Sequence, residues 1–219
     1  MTGLSTYTAQ NLLNYVVGKT AVPTLPTAYV ALFTVAGADD GTGFTEVTGG
    51  SYARVATSGA TWNAASAAVP SVVSNALAVA FPTATANWGT VVAWGLYDAS
   101  TAGNLLAWDY LGAGAWMPFE VSSASPGVLT AVAHGFSAAD LLQATAEYGG
   151  AFPTFSQSSF TGTLAVVSPT TDTFTVTNSS VAVNTSSSGS GMIRKVVQQS
   201  IPSGVQANFA AGALILTGA

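Results

Sequence analysis

Leu77–Trp108 reads LAVAFPTATANWGTVVAWGLYDASTAGNLLAW, and its alternation of apolar runs with turn residues decides the fold class. Leu77–Phe81 (LAVAF) has the composition of a strand, and Pro82, which has no N–H to offer a ladder, predicts its end. A turn through Asn87 and Gly89 leads into Val91–Tyr97 (VVAWGLY), a near-continuous apolar run that predicts a central strand covered on both faces. In Trp88-Gly89 the glycine suits a positive-φ turn while the indole closes one end of a sandwich. Asp98–Gly103 is a further turn, and Asn104–Trp108 begins a third strand. Short strands with turns every ~8–12 residues predict an all-β fold built as an antiparallel β-sandwich.

Upstream, Ala28–Phe33 (AYVALF) is a strand by residue type and runs into a Gly- and Asp-rich loop, Ala36–Gly43. Thr45–Thr48 and Tyr52–Ala56 are short strands around Gly49-Gly50. The N-terminus supplies one short amphipathic helix. Thr6 or Thr8 is its candidate cap, Leu12, Leu13, Val16 and Val17 follow at helical spacing, Gly18 ends it, and Pro23 and Pro26 bar its continuation. About three turns of helix are not stable alone, so this element must dock on its own domain or on a neighbour.

Downstream of Trp116 the texture changes. Val128–Ala133 is a strand followed by His134-Gly135-Phe136, Leu164–Val167 and Thr173–Thr177 form a hairpin, and Asn184–Gly191 (NTSSSGSG) is a turn that Met192–Val197 leaves as a strand. Ala213–Thr217 (ALILT) then closes the chain in the first texture. The expected organisation is a host β-sandwich of residues 1–115 and 195–219, interrupted by a small inserted β-domain at 116–194. Such insertions are tolerated at loop tips whose ends lie close together.

Composition narrows the function. Of 219 residues only 4 are basic and 9 acidic, giving a net charge of −5, and charged residues make up 6% of the chain. That balance excludes nucleic-acid binding driven by charge. Cysteine is absent and histidine occurs once, which removes disulfides, thiol chemistry and a histidine cluster for a transition metal. No run of ~18 apolar residues predicts a spanning helix; the most apolar stretch, Ala64–Phe81, is broken by Ser66, Pro70, Ser71, Ser74 and Asn75. MTGLSTYTAQ shows neither the basic flank nor the apolar core of a secretory leader. A charge-poor apolar chain of this kind is expected to hide its neutral surface against identical or neighbouring subunits. No cofactor and no membrane insertion are expected.

Particular residues follow from this reading. Leu12, Leu13, Tyr15 and Val16 are the candidate assembly anchor. Arg54, the only basic residue between Lys19 and Arg194, is the candidate for a structural ion pair with Asp98 or Glu46. Trp116, at the junction of the insert, is the candidate contact aromatic, whereas Trp94 and Trp108 lie in strands and belong to the core. Asp39-Asp40-Gly41-Thr42-Gly43 reads as a solvated turn more readily than as a calcium loop, because it lacks the Asp-x-Asp-x-Asp-Gly order. His134 is expected to bond a backbone carbonyl. The acidic residues Glu46, Asp98, Asp109, Glu120 and Glu147 are scattered among predicted turns, and no Gly-x-Ser-x-Gly elbow precedes a helix, so an enzyme is not expected.

Four ordered blocks carry a resemblance. AYVALFT (Ala28–Thr34), DDGTGFTEVTGGSYARV (Asp39–Val55), FPTATANWGTVVAWGLYDASTAGNLLAW (Phe81–Trp108) and AAGALILT (Ala210–Thr217) together resemble a family of small virion proteins of tailed bacteriophages, the tail fibre or minor tail proteins. Members run directly from the Leu-Leu-x-Trp strand to the terminal strand; here residues 116–194 intervene. Within them Val128–Phe136 and Thr173–Val176 resemble a second small β-module of phage tail and fibre proteins. The resemblance implies a structural virion protein of the tail or tail-fibre apparatus, assembled in the bacterial host cytoplasm. Its implied partners are identical subunits, other virion proteins and a host surface receptor. A capsid decoration protein or head fibre is the alternative with the same neutral interfaces, and a depolymerase is the enzymatic one.

Overall fold

The computed structural model describes residues 3–21, 27–67, 70–145, 164–178 and 180–218; Pro23, Pro26 and Glu147 lie outside the described residues. The chain divides into two units, Met1–Leu111 with Gln198–Ala219, and Gly112–Val197. The junctions thus fall a few residues away from those read in the sequence.

The first leg of the first unit carries β1 (Gly3–Leu4), α1 (Thr6–Val16), β2 (Ala28–Val35), β3 (Thr45–Glu46) and β4 (Val55–Thr57), then β5 (Ser71–Ser74), β6 (Val79–Thr83), β7 (Thr90–Val91), β8 (Ala93–Tyr97) and β9 (Leu105–Tyr110). Strands β1, β9, β8 and β2 form an antiparallel sheet in that order, and β3 and β4 both pair with the outer edge of β2. The apolar run of β8 lies between β2 and β9 with Ala93 through Leu96 buried, as a strand covered on both faces requires. Alternation sorts its side chains. Trp94 and Leu96 join Val30, Leu32 and Leu106 in a core completed by Val79, Phe81, Trp88, Val91, Ile201 and Leu214. On the opposite face Gly95 leaves room for Phe33, whose ring would lie 2.6 Å from an added Cβ. Phe33 there packs on Phe44 at 4.6 Å, and Phe44 meets Trp108 edge-on at 5.1 Å.

After the insert the chain returns as β17 (Gln199–Ser200), β18 (Gln206–Phe209) and β19 (Ile215–Gly218), which pair antiparallel with β7, β6 and β5 in turn. Fully buried Asn75 ties this return down. Its Nδ2 donates to the carbonyls of Leu77 and Ala210 at 2.8 Å, and its Oδ1 accepts from the Leu214 N–H at 2.8 Å. Two expectations are corrected here. Pro82 does not end its strand but sits inside β6, where the register against β18 shifts and an extra residue bulges; an edge ladder with a bulge tolerates the missing N–H. The helix cap is Ser5, not Thr6 or Thr8: its hydroxyl accepts from the Thr8 N–H at 3.2 Å and donates to the Leu105 carbonyl, a long-range bond that spacing alone does not reveal.

The second unit carries β10 (Met117–Val121), β11 (Leu129–Thr130), β12 (Leu141–Thr145), β13 (Leu164–Val167), β14 (Thr173–Asn178), β15 (Val181–Ala182) and β16 (Gly189–Val196). Pairing runs β11-β10-β16-β12-β13-β14, and β14 pairs back onto β11, so six antiparallel strands close into a small barrel with β15 appended. Every second residue points inward: Phe119 and Val121, Leu142 and Ala144, Leu164 and Val166, Phe174 and Val176. The hairpin read at Leu164–Thr177 is present. The strand read at Val128–Ala133 shrinks to Leu129–Thr130, because the chain turns at Ala133, where φ is +50°. Strand β16 begins at Gly189, inside the expected turn, and the bare Gly191 gives the Phe119 ring its space.

Candidate assembly surfaces

The four candidate anchor residues all lie on α1, and none is buried. Ser5 and Thr6 hold its first turn through N–H bonds to the carbonyls of Leu106 (2.9 Å) and Asp39 (2.8 Å). Beyond that turn Ala9 and Asn11 stay half-buried, while the larger apolar side chains face outward. Leu12, Leu13, Tyr15 and Val16 are 49%, 65%, 45% and 70% exposed, and no residue of α1 is buried. Thr6–Val16 contains no charged side chain. An exposed, uncharged, apolar helix gains only by being covered, at roughly 25 cal/mol per Å² of apolar surface removed from water.

Arg54 does form an ion pair, but with Glu46 and not with Asp98. Its Nε and Nη2 meet the two Glu46 oxygens at 2.9 and 2.7 Å, with side chains only 7% and 25% exposed. Its Nη1 donates to the carbonyls of Ala99 (2.9 Å) and Ala102 (2.7 Å), and the guanidinium lies 3.7 Å from the Tyr97 ring centroid. Burial works against the arginine's charge, but the hydrogen bonds and charge of Glu46 outweigh it and hold its pKa above the ordinary value. Tyr52 donates to Glu46 at 2.9 Å and accepts from the Leu32 N–H at 2.9 Å; burial, the largest cause, drives its hydroxyl far above the usual tyrosine range. Asp98 is consumed by its own turn. Its two oxygens accept from the Asn104 N–H (2.7 Å) and Nδ2 (2.8 Å). Arg54 therefore grips the 98–103 turn by its backbone, while Asp98 shapes it from within.

The acidic loop is also structural. Asp40 Oδ1 accepts from the Thr42 N–H at 2.9 Å and hydroxyl at 2.7 Å, and these bonds lower its pKa. Asp39 accepts from the Trp108 indole at 2.8 Å. Among the described residues no three metal-ligating side chains come together. Asp109 accepts from the Tyr110 N–H at 2.7 Å, and Glu120 stands exposed on the barrel.

In the second unit Trp116 is half-buried and lies over Arg194, ring centroid to Cζ 4.4 Å, while Arg194 Nε donates to Gln143 at 2.9 Å. The indole thus shields a buried arginine. His134 bonds a backbone N–H rather than a carbonyl: Nδ1 accepts from Phe136 at 2.9 Å. The ring stacks on Phe136 at 4.8 Å and meets Phe174 edge-on at 4.8 Å, and its buried Nε2 has no hydrogen-bond partner among the described residues. The barrel also carries an apolar depression beside Met117, Pro118 and Phe119, rimmed by Val132, which is 81% exposed.

One surface escaped the sequence reading. A groove of about 300 Å³ opens in the first unit among Leu32, Val91, Leu111, Ile201, Val205 and Phe209. Its local signal is the alternation Val205, Ala207, Phe209, in the stretch that resumes the texture of the first domain.

Among curated proteins none matches the chain. A family model does, over residues 3–115, a span that takes in α1, the Arg54 node and the whole six-stranded sheet and ends where the barrel unit begins. The chain belongs to the Podophage GP4 fiber I protein gp80 family, and it is a structural fibre protein of a bacteriophage virion.

Proposed function

We propose that the chain works in the tail-fibre apparatus, in assembly and in host attachment, with the first unit and α1 as the assembly part and the barrel as the displayed part. The observation that carries this reading is α1, an uncharged helix with five large apolar or aromatic side chains exposed and none of its residues buried, on a member of a fibre family. Burial of that helix against neighbours drives association, and repetition of weak receptor contacts along a fibre raises avidity. Identical subunits, other virion proteins and a host surface receptor are the partners this reading requires. Chemistry is not part of it: Glu46 is held by Arg54 and Tyr52, and Asp98 by its own turn. Immunogold labelling of intact virions tests the reading. Label on the tail fibres is expected; label distributed over the capsid lattice replaces it with the decoration or head-fibre reading.

A further inference from the structure

Where the first turn of α1, the acidic loop and the 98–103 turn meet, the first unit holds a polar pocket of about 320 Å³. Tyr7, Asp39, Asp40, Arg54, Tyr97 and Asn104 supply its polar lining. Bonds within the unit fix these side chains, yet each keeps hydrogen-bonding capacity to spare. Asp39 and Asp40 accept through Oδ1 alone, from the Trp108 indole and from Thr42, and neither Oδ2 has a partner among the described residues. Asn104 is engaged through its N–H and its Nδ2, which leaves Oδ1. Arg54 spends four of its five N–H groups on Glu46, Ala99 and Ala102 and keeps one on Nη2. Tyr7 and Tyr97 have hydroxyls without a hydrogen-bond partner among the described residues, and Tyr7 is 42% exposed.

We propose that this pocket binds one uncharged sugar ring of a saccharide. The lining carries both signs of charge, so a bare anion meets Asp39 and Asp40 and a bare cation meets Arg54. An uncharged molecule whose groups both donate and accept satisfies the two at once. A sugar hydroxyl is such a group: it donates to the free carboxylate oxygens in charge-assisted bonds and accepts from the remaining Arg54 N–H. The same ring presents C–H faces, and the exposed Tyr7 ring offers flat apolar surface for one of them beside a polar hydroxyl. The volume is at the lower end of pockets that hold small molecules. The lining is also set in advance. Thr6 N–H donates to the Asp39 carbonyl at 2.8 Å, which fixes the first turn of α1, and with it Tyr7, beside the acidic loop. Groups held in this way lose little freedom when a ligand arrives. The inference stands apart from the tail-fibre reading: label over the capsid lattice would replace that reading and leave the pocket as it is.

Saturation-transfer NMR on the full chain tests this. The probes are the methyl glycosides of glucose, galactose, mannose, rhamnose and N-acetylglucosamine, with methylammonium and inorganic phosphate as charged controls. At least one glycoside is expected to bind saturably, with a Kd of about 1 mM, and neither control is expected to compete. Asp39→Asn with Asp40→Asn keeps both Oδ1 acceptors, and so both turns, but removes the free carboxylate oxygens; it is expected to weaken binding about tenfold. Tyr7→Ala, at an exposed position, is expected to weaken it about fivefold. Near-UV circular dichroism verifies that each variant keeps the wild-type fold. The proposal is overturned if no glycoside binds up to about 50 mM, and equally if both variants bind like wild type, since the sugar then sits elsewhere. Saturable binding of methylammonium that excludes the glycosides overturns it as well and makes the pocket an amine site.

Discussion

Arg54 shows how a single side chain organises this unit. Five of its bonds and ring contacts converge on two separate segments: Glu46 after the acidic loop, and residues 97–102, through the Tyr97 ring and the carbonyls of Ala99 and Ala102. Arg54→Ala leaves Glu46 half-buried with only the Tyr52 hydroxyl, and the expected loss is about 3 kcal/mol in urea unfolding. Arg54→Lys keeps the charge but not the fork, so it is expected to recover less than half of that loss. Asp98→Asn is expected to cost less, about 1 kcal/mol, because it weakens one turn and leaves the ion pair standing. Gly50 is a second sensitive position. Its φ is +53°, its carbonyl accepts from the Trp88 indole at 2.9 Å, and a Cβ there would lie 2.9 Å from that indole nitrogen. Gly50→Ala is expected to lower the melting temperature by combining left-handed strain of about 1 kcal/mol with displacement of Trp88.

At the scale of elements, α1 and the barrel loops predict opposite behaviour. Leu13→Asp is expected to leave urea stability within about 0.5 kcal/mol of wild type, because the side chain touches no core, whereas Ser5→Ala is expected to cost about 1 kcal/mol through the lost cap. The barrel carries an acid-sensitive tie. Asp140 accepts from the Ser137 N–H at 2.9 Å and meets Lys195 Nζ at 2.6 Å. Burial raises its pKa, but these bonds and the lysine outweigh burial, and the net shift is downward. A carboxylate depressed in the folded state contributes stability that is present above its ordinary value of 3.8 and is lost as the pH falls below that value through the folded pKa. The melting temperature of the chain is therefore expected to drop on acidification below about pH 4, and Lys195→Met is expected to reduce the drop. An acid limb unchanged in Lys195→Met removes this tie from the account.

For the whole molecule, the insert begins and ends at one place. The Gly114 N–H donates to the Lys195 carbonyl at 2.8 Å, and a Cβ on Gly112 would touch Val197 at 2.7 Å. The barrel also closes its sheet through β11 and β14, which satisfies strand edges that an open insert would leave free. Replacing residues 112–197 by a short glycine linker is accordingly expected to leave a first unit that melts cooperatively, measured by circular dichroism. A product that is unfolded would show that the first unit depends on its insert.

What could be read from the sequence was whatever depends on neighbours in the chain. The run read as one strand at Val91–Tyr97 announced a doubly covered strand because both alternating sets of its side chains are apolar, and the structure keeps that strand over Ala93–Tyr97 while Val91 joins β7 against β17; Gly18 announced the helix end because a positive φ of +73° suits glycine. The helix that carries Leu12, Leu13, Tyr15 and Val16 was visible from their spacing, and the fibre resemblance rested on blocks of local order. The partner of Arg54 was not decided at that level, since Glu46 and Asp98 are equally plausible carboxylates until the 98–103 turn closes and uses one of them. Ser5 was missed as a cap because its fixing bond spans a hundred residues of chain. The closed barrel and the groove beside Ile201 were invisible for the same reason: each exists only where segments distant in sequence meet, and the free energy of such meetings is set by tertiary packing rather than by any residue's own preference.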